Sequence, residues 1–286
     1  MVTFFINRLR RTKALLIIAV CFVFIPACHV DLLGLVKYSD LIERLNYKNS
    51  FIFLSPEDRR LAFGDEFSFI VLTDTHNYNG SDHGLEKRLH DAAARHDAAF
   101  VVITGDITQG GSGQDIGKFI EIANSLPIPV YPVIGNHDIY FNNWPNWRDT
   151  IGSTCYRIDS RREDGSIAAT LFMLDSANAH FGGEQLDWLD RELTTAAGRV
   201  FVFTHISIFT NSTVSHAQLI DEGERARLLS ILRGRCDFMF MGHAHRGFIR
   251  EAFGVKFLTL DDFRSNGTLA IVKVTKEGIS YVIEKS

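Results

Sequence analysis

Short apolar runs alternate with amphipathic stretches along most of the chain. Five runs are four to six residues long and rich in Val, Ile and Phe, as buried strands are. They are Phe67–Leu72, Phe100–Ile103, Val130–Ile134, Val200–Phe203 and Phe238–Met241. Stretches with the apolar spacing of helices lie near residues 85–96, 115–125, 184–196 and 222–233. This alternation predicts crossover connections and a largely parallel core sheet covered by helices.

Further apolar runs lack helical stretches between them. They lie at 151–158, 168–174, 255–260, 268–274 and 278–283. Antiparallel strands can be joined by short turns, whereas parallel strands need a long crossover. We therefore expect these runs to pair as antiparallel additions to the core sheet or to form a second sheet.

A short cluster of potential metal ligands follows each of the five core runs. The clusters are Asp74-Thr75-His76, Gly105-Asp106, Gly135-Asn136-His137-Asp138, Thr204-His205 and Gly242-His243-Ala244-His245. Open α/β sheets bind ligands beyond the carboxyl ends of their strands, so the clusters are predicted to converge. Any one of them alone could be an ordinary turn. Five in chain order, each just after a predicted strand, favour one shared site.

Seven side chains in these clusters are candidate ligands, namely two carboxylates, one amide oxygen and four imidazoles. They are Asp74, Asp106, Asn136, His76, His205, His243 and His245. Seven donors are too many for one transition metal and suit two ions that share a carboxylate. Mixed nitrogen and oxygen donors without thiolate favour two divalent ions of Mn, Fe, Zn, Co or Ni. Such a pair activates a bridging water for displacement at phosphorus, so the pattern predicts a dinuclear hydrolase.

With these motifs, the sequence resembles the calcineurin-like metallophosphoesterase superfamily from Phe67 to the C-terminus. The resemblance implies an α/β fold, a four-layer α/β/β/α sandwich in which helices flank two mixed β-sheets. It places a dinuclear metal site at the C-terminal ends of the strands. It also implies two ligand sets with a shared bridging residue: Asp74, His76 and His245; Asn136, His205 and His243; and Asp106 between them.

The same resemblance gives catalytic roles to two residues that are not metal ligands. His137 would lie beside the metals and contact the phosphate or protonate the leaving oxygen. Asp138 would hold the His137 imidazole in orientation, as carboxylates around metal sites commonly do.

Departures from the superfamily's motifs narrow the function. The loop Gly105–Gly111 lacks the arginine of protein Ser/Thr phosphatases, and Asp138 stands where they have glutamate. Gln109 stands where purple acid phosphatases have a metal-binding tyrosine. The segment 182–189 resembles bacterial phosphodiesterase-like members. We therefore expect hydrolysis of a phosphodiester, including nucleotide-type diesters. The alternatives are a phosphomonoesterase or nucleotidase with the same centre and, from another class, a non-catalytic metal-binding lipoprotein.

Four other residues are candidates for substrate contacts. Trp144 and Trp147 follow His137 closely and either offer a face to a base or fold back into the domain, and folding back is the commoner arrangement. His83 and Arg246 either bind a non-bridging phosphate oxygen or are ordinary surface residues.

The N-terminus has the pattern of an export signal. Basic residues precede an apolar run of 12 residues, Ala14–Ile25, which is shorter than the roughly 20 residues of a membrane span. The following Pro26-Ala27-Cys28 resembles a bacterial lipobox, which predicts lipidation at Cys28. The predicted organisation is a lipoprotein-type signal peptide at 1–27, a tether and lead-in at 28–66, and the metallophosphoesterase domain at 67–286.

This pattern predicts an exported protein that is tethered to a membrane, and His29 after the cysteine favours the outer membrane. The alternatives are a signal anchor or a secreted protein. Formal net charge is −4, and it becomes −8 without the first 27 residues, which carry four basic residues and no acidic one. A surface of that charge repels phosphate backbones, so we expect no general nucleic-acid binding. Cys155 and Cys236 either pair or remain as two buried thiols.

Overall fold

The computed structural model describes residues 41–48, 50–209 and 221–286. The predicted signal peptide and the predicted lipidation site at Cys28 lie outside these residues. Within the described part of the chain, no helix has both the length and the apolarity that crossing a membrane requires.

Eleven strands and seven α-helices make up the described residues. The strands are β1 (Phe67–Leu72), β2 (Ala98–Thr104), β3 (Val130–Val133), β4 (Tyr156–Arg161), β5 (Ile167–Met173), β6 (Arg199–Phe203), β7 (Phe238–Met241), β8 (Phe248–Ala252), β9 (Val255–Thr259), β10 (Leu269–Val274) and β11 (Ile279–Glu284). The helices are α1 (Leu41–Leu45), α2 (Leu85–His96), α3 (Gly113–Ser125), α4 (Trp144–Thr150), α5 (Gly183–Glu192), α6 (Glu222–Leu232) and α7 (Phe263–Asn266). A 3-10 segment, His137–Asn142, precedes α4.

The strands form two mixed sheets. The first has the order β11-β10-β1-β2-β3, and the second has the order β4-β5-β6-β7-β9-β8. In the first sheet β1, β2 and β3 are parallel, while β10 and β11 are added antiparallel. In the second sheet β5, β6, β7 and β9 are parallel, and β4 and β8 are antiparallel edges. Helices cover the outer faces, which gives the predicted four-layer α/β/β/α sandwich.

The five predicted core strands are all present, but they do not share one sheet. Three of them, β1 to β3, belong to the first sheet, whereas β6 and β7 belong to the second. The apolar runs alone did not divide these strands between sheets, because an apolar run shows that a strand is buried but not which strand pairs with it. The two mixed sheets that the resemblance implies are confirmed.

Two later runs also pair differently from the expectation of antiparallel additions. The run at 168–174 forms β5, which is parallel to β6 because α5 supplies the crossover between them. The run at 255–260 forms β9, which is parallel to β7 and antiparallel to β8. The runs that form β4, β10 and β11 are antiparallel as expected.

Aromatic side chains fill the space between the two sheets. Phe69 of the first sheet is fully buried. Its ring centroid lies 4.7 Å from that of Phe100 in a stacked arrangement and 5.1 Å from that of Phe201, in the opposite sheet, edge-on. Such offset and edge-on pairs are the favoured geometries of aromatic rings. This rigid layer fixes the positions of the strand ends that carry the candidate ligands.

The lead-in before β1 is built into the domain rather than being only a tether. Leu41 and Leu45 of α1 are 1% and 2% exposed and pack into the outer core of the second sheet. Between them, Arg44 Nε donates to Asp175 Oδ2 at 2.7 Å, and both side chains are fully buried. Leu41, Arg44 and Leu45 therefore pack against the folded domain, and the domain boundary at residue 67 stays a prediction.

Two open alternatives are settled by burial. Trp144 and Trp147 are 2% and 0% exposed, so both fold back into the core and neither offers a face to substrate. Cys155 and Cys236 are both buried free thiols.

Candidate metal centre

The loops that follow β1, β2, β3, β6 and β7 meet at one edge of the two sheets. The first two loops are tied to each other through the backbone: Asp74 N donates to Gly105 O at 3.0 Å, and His76 N donates to Asp106 O at 2.9 Å. The convergence predicted from the five sequence clusters is thus what the structure shows.

One group of candidate ligands contains Asp74, His76 and His245. Asp74 Oδ1 lies 3.1 Å from His245 Nε2 and 3.6 Å from His76 Nε2. The second oxygen of Asp74 accepts hydrogen bonds from Thr73 Oγ1 at 2.6 Å and from His243 N at 3.0 Å. The carboxylate is therefore fixed by two donors while its other oxygen faces the imidazoles.

A second group contains Asn136, His205 and His243. His205 Nε2 lies 3.0 Å from Asn136 Oδ1 and 3.2 Å from His243 Nδ1. The other ring nitrogen of His205 lies 2.9 Å from the carbonyl oxygen of Thr104. Because a carbonyl only accepts, Nδ1 carries a proton here, and Nε2 is the ring nitrogen that faces the other candidate ligands.

Asp106 lies between the two groups. Its Oδ2 is 3.2 Å from His205 Nε2 in one group and 3.9 Å from His76 Nε2 in the other. Each of three residue triplets has ligand atoms within 4.8 Å of one another, and Asp106 belongs to two of them, with His76 and His137 and with His205 and His243. Asp106 is thus placed to serve both halves of the site.

The residues fit a pair of metal ions. Both ring nitrogens of His76 are buried and have no hydrogen-bond partner, although buried polar atoms are nearly always paired. A cation would supply the missing partner for one of them. Imidazole nitrogens together with carboxylate and amide oxygens form the donor set that divalent transition metals prefer.

The backbone at this edge is strained. Five of the seven candidate ligands have positive φ angles between 45° and 67°: Asp74, His76, Asp106, His243 and His245. Non-glycine residues in this conformation cost about 1–3 kcal/mol each and cluster at functional sites. The fold therefore holds these side chains in place at the expense of stability.

Two glycines allow the loops to approach so closely. Gly105 has φ of 91°, and a Cβ atom there would lie 2.5 Å from His205 Nδ1. A Cβ atom at Gly242 would lie 1.8 Å from Thr73 Oγ1, whose hydrogen bond fixes Asp74. Any side chain at either position would push a candidate ligand out of place.

His137 lies beside these groups, with its side chain partly exposed. Its Nε2 is 3.9 Å from Asp106 Oδ2. Its Nδ1 lies 2.9 Å from the carbonyl oxygen of Gln109, and its ring packs on Tyr140 with centroids 4.3 Å apart. The imidazole is therefore held by a main-chain carbonyl and an aromatic ring.

Asp138 does not have the orienting role predicted for it. Its buried carboxylate accepts hydrogen bonds from Thr108 N at 2.8 Å and from Gly135 N at 2.9 Å, and also from Thr108 Oγ1 and Ile107 N. Asp138 thus fastens the loop after β2 to the loop after β3. The orientation of His137 comes instead from Gln109, which its sequence position did not reveal because every residue carries a carbonyl.

The charges of the site act on one another. Burial raises the pKa of Asp106, but the imidazoles of His205 and His137 outweigh it, so the pKa is lowered. Burial likewise raises the pKa of Asp74, and contacts with His245 and His76 reverse the shift. Burial and then His205 lower the pKa of His243 to about 4. At neutral pH the carboxylates are therefore charged and His243 is a neutral imidazole, whereas Asp106 outweighs burial and raises the pKa of His205 to about 9, so His205 would lose a proton on binding a metal.

His83 and Arg246 are the remaining candidates for contacts with phosphate. His83 Nε2 is 3.2 Å from the carbonyl oxygen of His76, so the His83 side chain lies beside this loop. Arg246 is exposed and follows the last ligand in the chain. Phe141, next to Tyr140 and four residues after His137, is 55% exposed, so its aromatic ring stays open to solvent.

Comparison with known proteins gives relatives in sequence and in fold. The family profile described as "Calcineurin-like phosphoesterase" matches residues 67–247. A protein of Fibrobacter succinogenes named "Probable cyclic nucleotide phosphodiesterase" is 27% identical over 120 residues, which span 41% of this chain and 44% of that protein. The chain thus aligns with less than half of that relative's length.

Two solved structures share the fold at low sequence identity. A dimetal phosphatase from Danio rerio has a TM-score of 0.58 at 16% identity, covering 77% of this chain and 98% of that chain. A purple acid phosphatase from yellow lupin has a TM-score of 0.62 at 12% identity, covering 79% of this chain and 52% of that chain.

Proposed function

The chain belongs to the calcineurin-like phosphoesterase family, and from this premise we propose that it hydrolyses a phosphodiester at a dinuclear metal centre. It is a metal-dependent phosphoester hydrolase, as its family is. The proposal concerns the kind of ester and the residues that do the work. The observation that carries it is the buried, unpartnered imidazole of His76 beside two carboxylates that face imidazoles on both sides.

The proposed ligand sets follow the two groups of the site. Asp74, His76 and His245 would hold one ion, Asn136, His205 and His243 would hold the other, and Asp106 would be shared. Divalent transition-metal ions bound by these residues would supply Lewis acidity for activating water and for neutralising charge at phosphorus. The native metal is one of Mn, Fe, Zn, Co or Ni, in keeping with the nitrogen-rich donor set.

The protein supplies orientation. The carbonyl of Thr104 keeps Nε2 of His205 pointing into the site, and Thr73 with the backbone of His243 fixes one oxygen of Asp74. These contacts hold the donors in position before substrate arrives, so little reorganisation is needed in the reaction.

His137 contacts the substrate in this proposal. The carbonyl of Gln109 accepts a hydrogen bond from Nδ1–H, and Nε2 is directed towards Asp106 and the metal side of the site. For this role Nε2 must also carry a proton, so the imidazolium form binds a phosphoryl oxygen or passes its Nε2 proton to the departing oxygen. Asp138 supports this arrangement indirectly, through the two loops that it fastens together.

A diester is favoured over a monoester by the Fibrobacter relative, which is named "Probable cyclic nucleotide phosphodiesterase". The open aromatic face of Phe141 near His137 agrees with an ester that carries a base or another flat group.

We further propose that Cys28 is lipidated and anchors the domain outside the cytoplasm. Twelve residues separate Cys28 from α1, so the domain would lie within about 45 Å of the bilayer surface even with that segment fully extended. Metabolic labelling with a palmitate analogue, compared between the parent chain and Cys28→Ser, tests this; equal labelling would contradict it.

Metal content and ester hydrolysis test the catalytic proposal. We expect about two transition-metal ions per chain and faster hydrolysis of bis-p-nitrophenyl phosphate than of p-nitrophenyl phosphate. The reverse preference would point to a phosphomonoesterase with the same centre. Two metals without turnover of either ester or of cyclic nucleotides would favour a binding protein. No metal after supplementation with all five candidate ions would contradict the proposal.

A further inference from the structure

We propose that Arg264 is a substrate-binding residue that binds a non-bridging phosphoryl oxygen at the mouth of the metal centre. This inference rests on the proposed function and adds a residue that none of the sequence motifs contains. Arg264 lies in α7, between β9 and β10, 19 residues after the last candidate ligand, His245.

The backbone of Arg264 is attached to the site itself. Arg264 N donates to the carbonyl oxygen of Asp74 at 3.1 Å, and the preceding Phe263 N donates to that of Thr73 at 2.9 Å. Phe263 is 3% exposed and anchors α7 in the core beneath the first sheet's helices. The start of α7 is therefore fixed on the loop that carries two candidate ligands.

The side chain of Arg264 reaches the loop that follows β2. Its Nη1 donates to Gln109 Oε1 at 2.5 Å. Gln109 is the residue whose carbonyl holds His137, and its amide nitrogen lies 3.4 Å from His137 Nδ1. The guanidinium thus joins the Asp74 loop to the loop after β2, and through Gln109 it lies one contact away from His137.

The guanidinium keeps donors for a ligand. It has five N–H groups, and the bond to Gln109 uses one of them. Within residues 41–48, 50–209 and 221–286, no carboxylate lies within ion-pair distance of Arg264, and the side chain is exposed. By contrast, Arg44 is neutralised by Asp175, and Arg157 pairs with Asp159 and Glu192. A cation left uncompensated beside an anion-binding site suits phosphate, which the fork of a guanidinium binds well.

The bond to Gln109 gives the guanidinium a defined position before substrate binds. Arginine loses less freedom when its planar group is already oriented, so more of the interaction energy remains for binding. Gln109 is therefore a positioning residue for Arg264 as well as for His137.

Steady-state kinetics of the full chain with bis-p-nitrophenyl phosphate tests this inference. Because charge-assisted hydrogen bonds are the strong ones, Arg264→Gln should raise KM about tenfold to a hundredfold and lower kcat much less. The inhibition constant of inorganic phosphate should rise by a similar factor, and metal content should be unchanged. Arg264→Lys keeps the charge but not the fork of the guanidinium, so its KM should lie between those of the parent and Arg264→Gln.

Two further variants separate binding from positioning. Arg250→Gln removes an exposed arginine from the edge strand β8 and should leave KM and phosphate inhibition unchanged. Gln109→Leu removes the contact but not the cation, so it should raise KM less than Arg264→Gln does. The inference is overturned if Arg264→Gln leaves KM and phosphate inhibition at parent values. It is also overturned if Arg264→Gln lowers kcat alone, as Gln109→Leu would then do too. A parent chain without metal and without turnover would instead contradict the proposed function.

Discussion

Among the described residues, two buried clusters of charged side chains are constructed in opposite ways. In the first, Arg44 and Asp175 form two hydrogen bonds of 2.7 and 2.9 Å, and Asp175 also accepts one from Ala177 N. Both side chains are fully buried, so the charges neutralise each other inside the protein. This cluster therefore needs no bound metal to neutralise its charges.

The metal centre is incomplete without a ligand. Both ring nitrogens of His76 are unpartnered although the residue is 3% exposed. The ligand-bearing loops also hold Asp74 and Asp106 in left-handed conformations, whereas Arg44 lies in a helix. Buried charge alone therefore does not mark a functional site. A functional site is marked by buried polar atoms that lack hydrogen-bond partners and lie on a strained backbone.

Replacing an aspartate by asparagine should have opposite consequences for metal content in the two clusters. Asp106→Asn removes the shared charge, so we expect loss of both metals together and a fall in turnover of more than about a hundredfold. With chelator present the variant should unfold at a lower temperature than the parent, because the imidazoles outweigh burial and lower the pKa of Asp106, so its charge stabilises the native state. Elemental analysis and melting with chelator present measure both effects.

Asp175→Asn is the matched control for this comparison. It should lower the melting temperature and leave the metal content of the folded protein near that of the parent. If Asp106→Asn retained about two metals per chain, the bridging role would be refuted.

His137→Ala separates chemistry from metal binding within the centre. Because His137 is proposed to act on substrate rather than on metal, we expect kcat to fall about 10²- to 10⁴-fold with unchanged metal content. Stopped assays with the diester, combined with elemental analysis, measure this. Full activity in the variant would remove His137 from the mechanism, and loss of metal would make it a ligand.

Breaking the complete cluster should affect stability rather than chemistry. Arg44→Ala leaves Asp175 charged, buried and unpaired, which costs about 3–5 kcal/mol of the free energy of unfolding. Denaturant titration of the chelated protein measures the loss. The double variant Arg44→Met, Asp175→Leu should recover most of it, because apolar replacements of buried pairs are well tolerated. No recovery would show that the pair has a role beyond mutual neutralisation.

The comparison also shows what a sequence can predict. The ligand clusters were found because each is local: an apolar run ends and a polar group follows within a few residues, as Asp74 follows Leu72. Their convergence followed from a general rule about strand ends. The resemblance to a family supplied the division into two sheets, which the apolar runs alone did not predict.

Long-range partners were not predictable in the same way. Arg44 pairs with a residue 131 positions away, and Arg264 reaches Gln109 across 155 positions. Nothing in the neighbouring residues of either arginine distinguishes it from a surface residue. Asp138 was misinterpreted for a related reason: its sequence position beside His137 suggested contact, but its carboxylate turns towards the backbone of Thr108 and Gly135.

The smallest expected effect concerns the two buried thiols. Burial, and then the charge of Asp175, raise the pKa of Cys155, while burial and then Asp237 raise the pKa of Cys236. Only the thiolate reacts with alkylating reagents, so neither thiol should be labelled in the native protein. Mass spectrometry of peptides after iodoacetamide treatment measures each site separately from Cys21 and Cys28.

Arg44→Ala should make the two thiols differ. Both thiols share a core cluster with Leu41 and Leu45 of α1, but only the loop of Cys155 is described with a direct bond to the lead-in, from Ser153 N to Ser50 O at 2.9 Å. Loosening α1 should therefore expose Cys155 by local opening, at a free energy below that of global unfolding. Cys236, which precedes β7, should be labelled only on global unfolding. Equal acceleration at both thiols would mean that the lead-in and the sandwich unfold as one unit, and that the Arg44–Asp175 pair stabilises the whole domain rather than the attachment of α1.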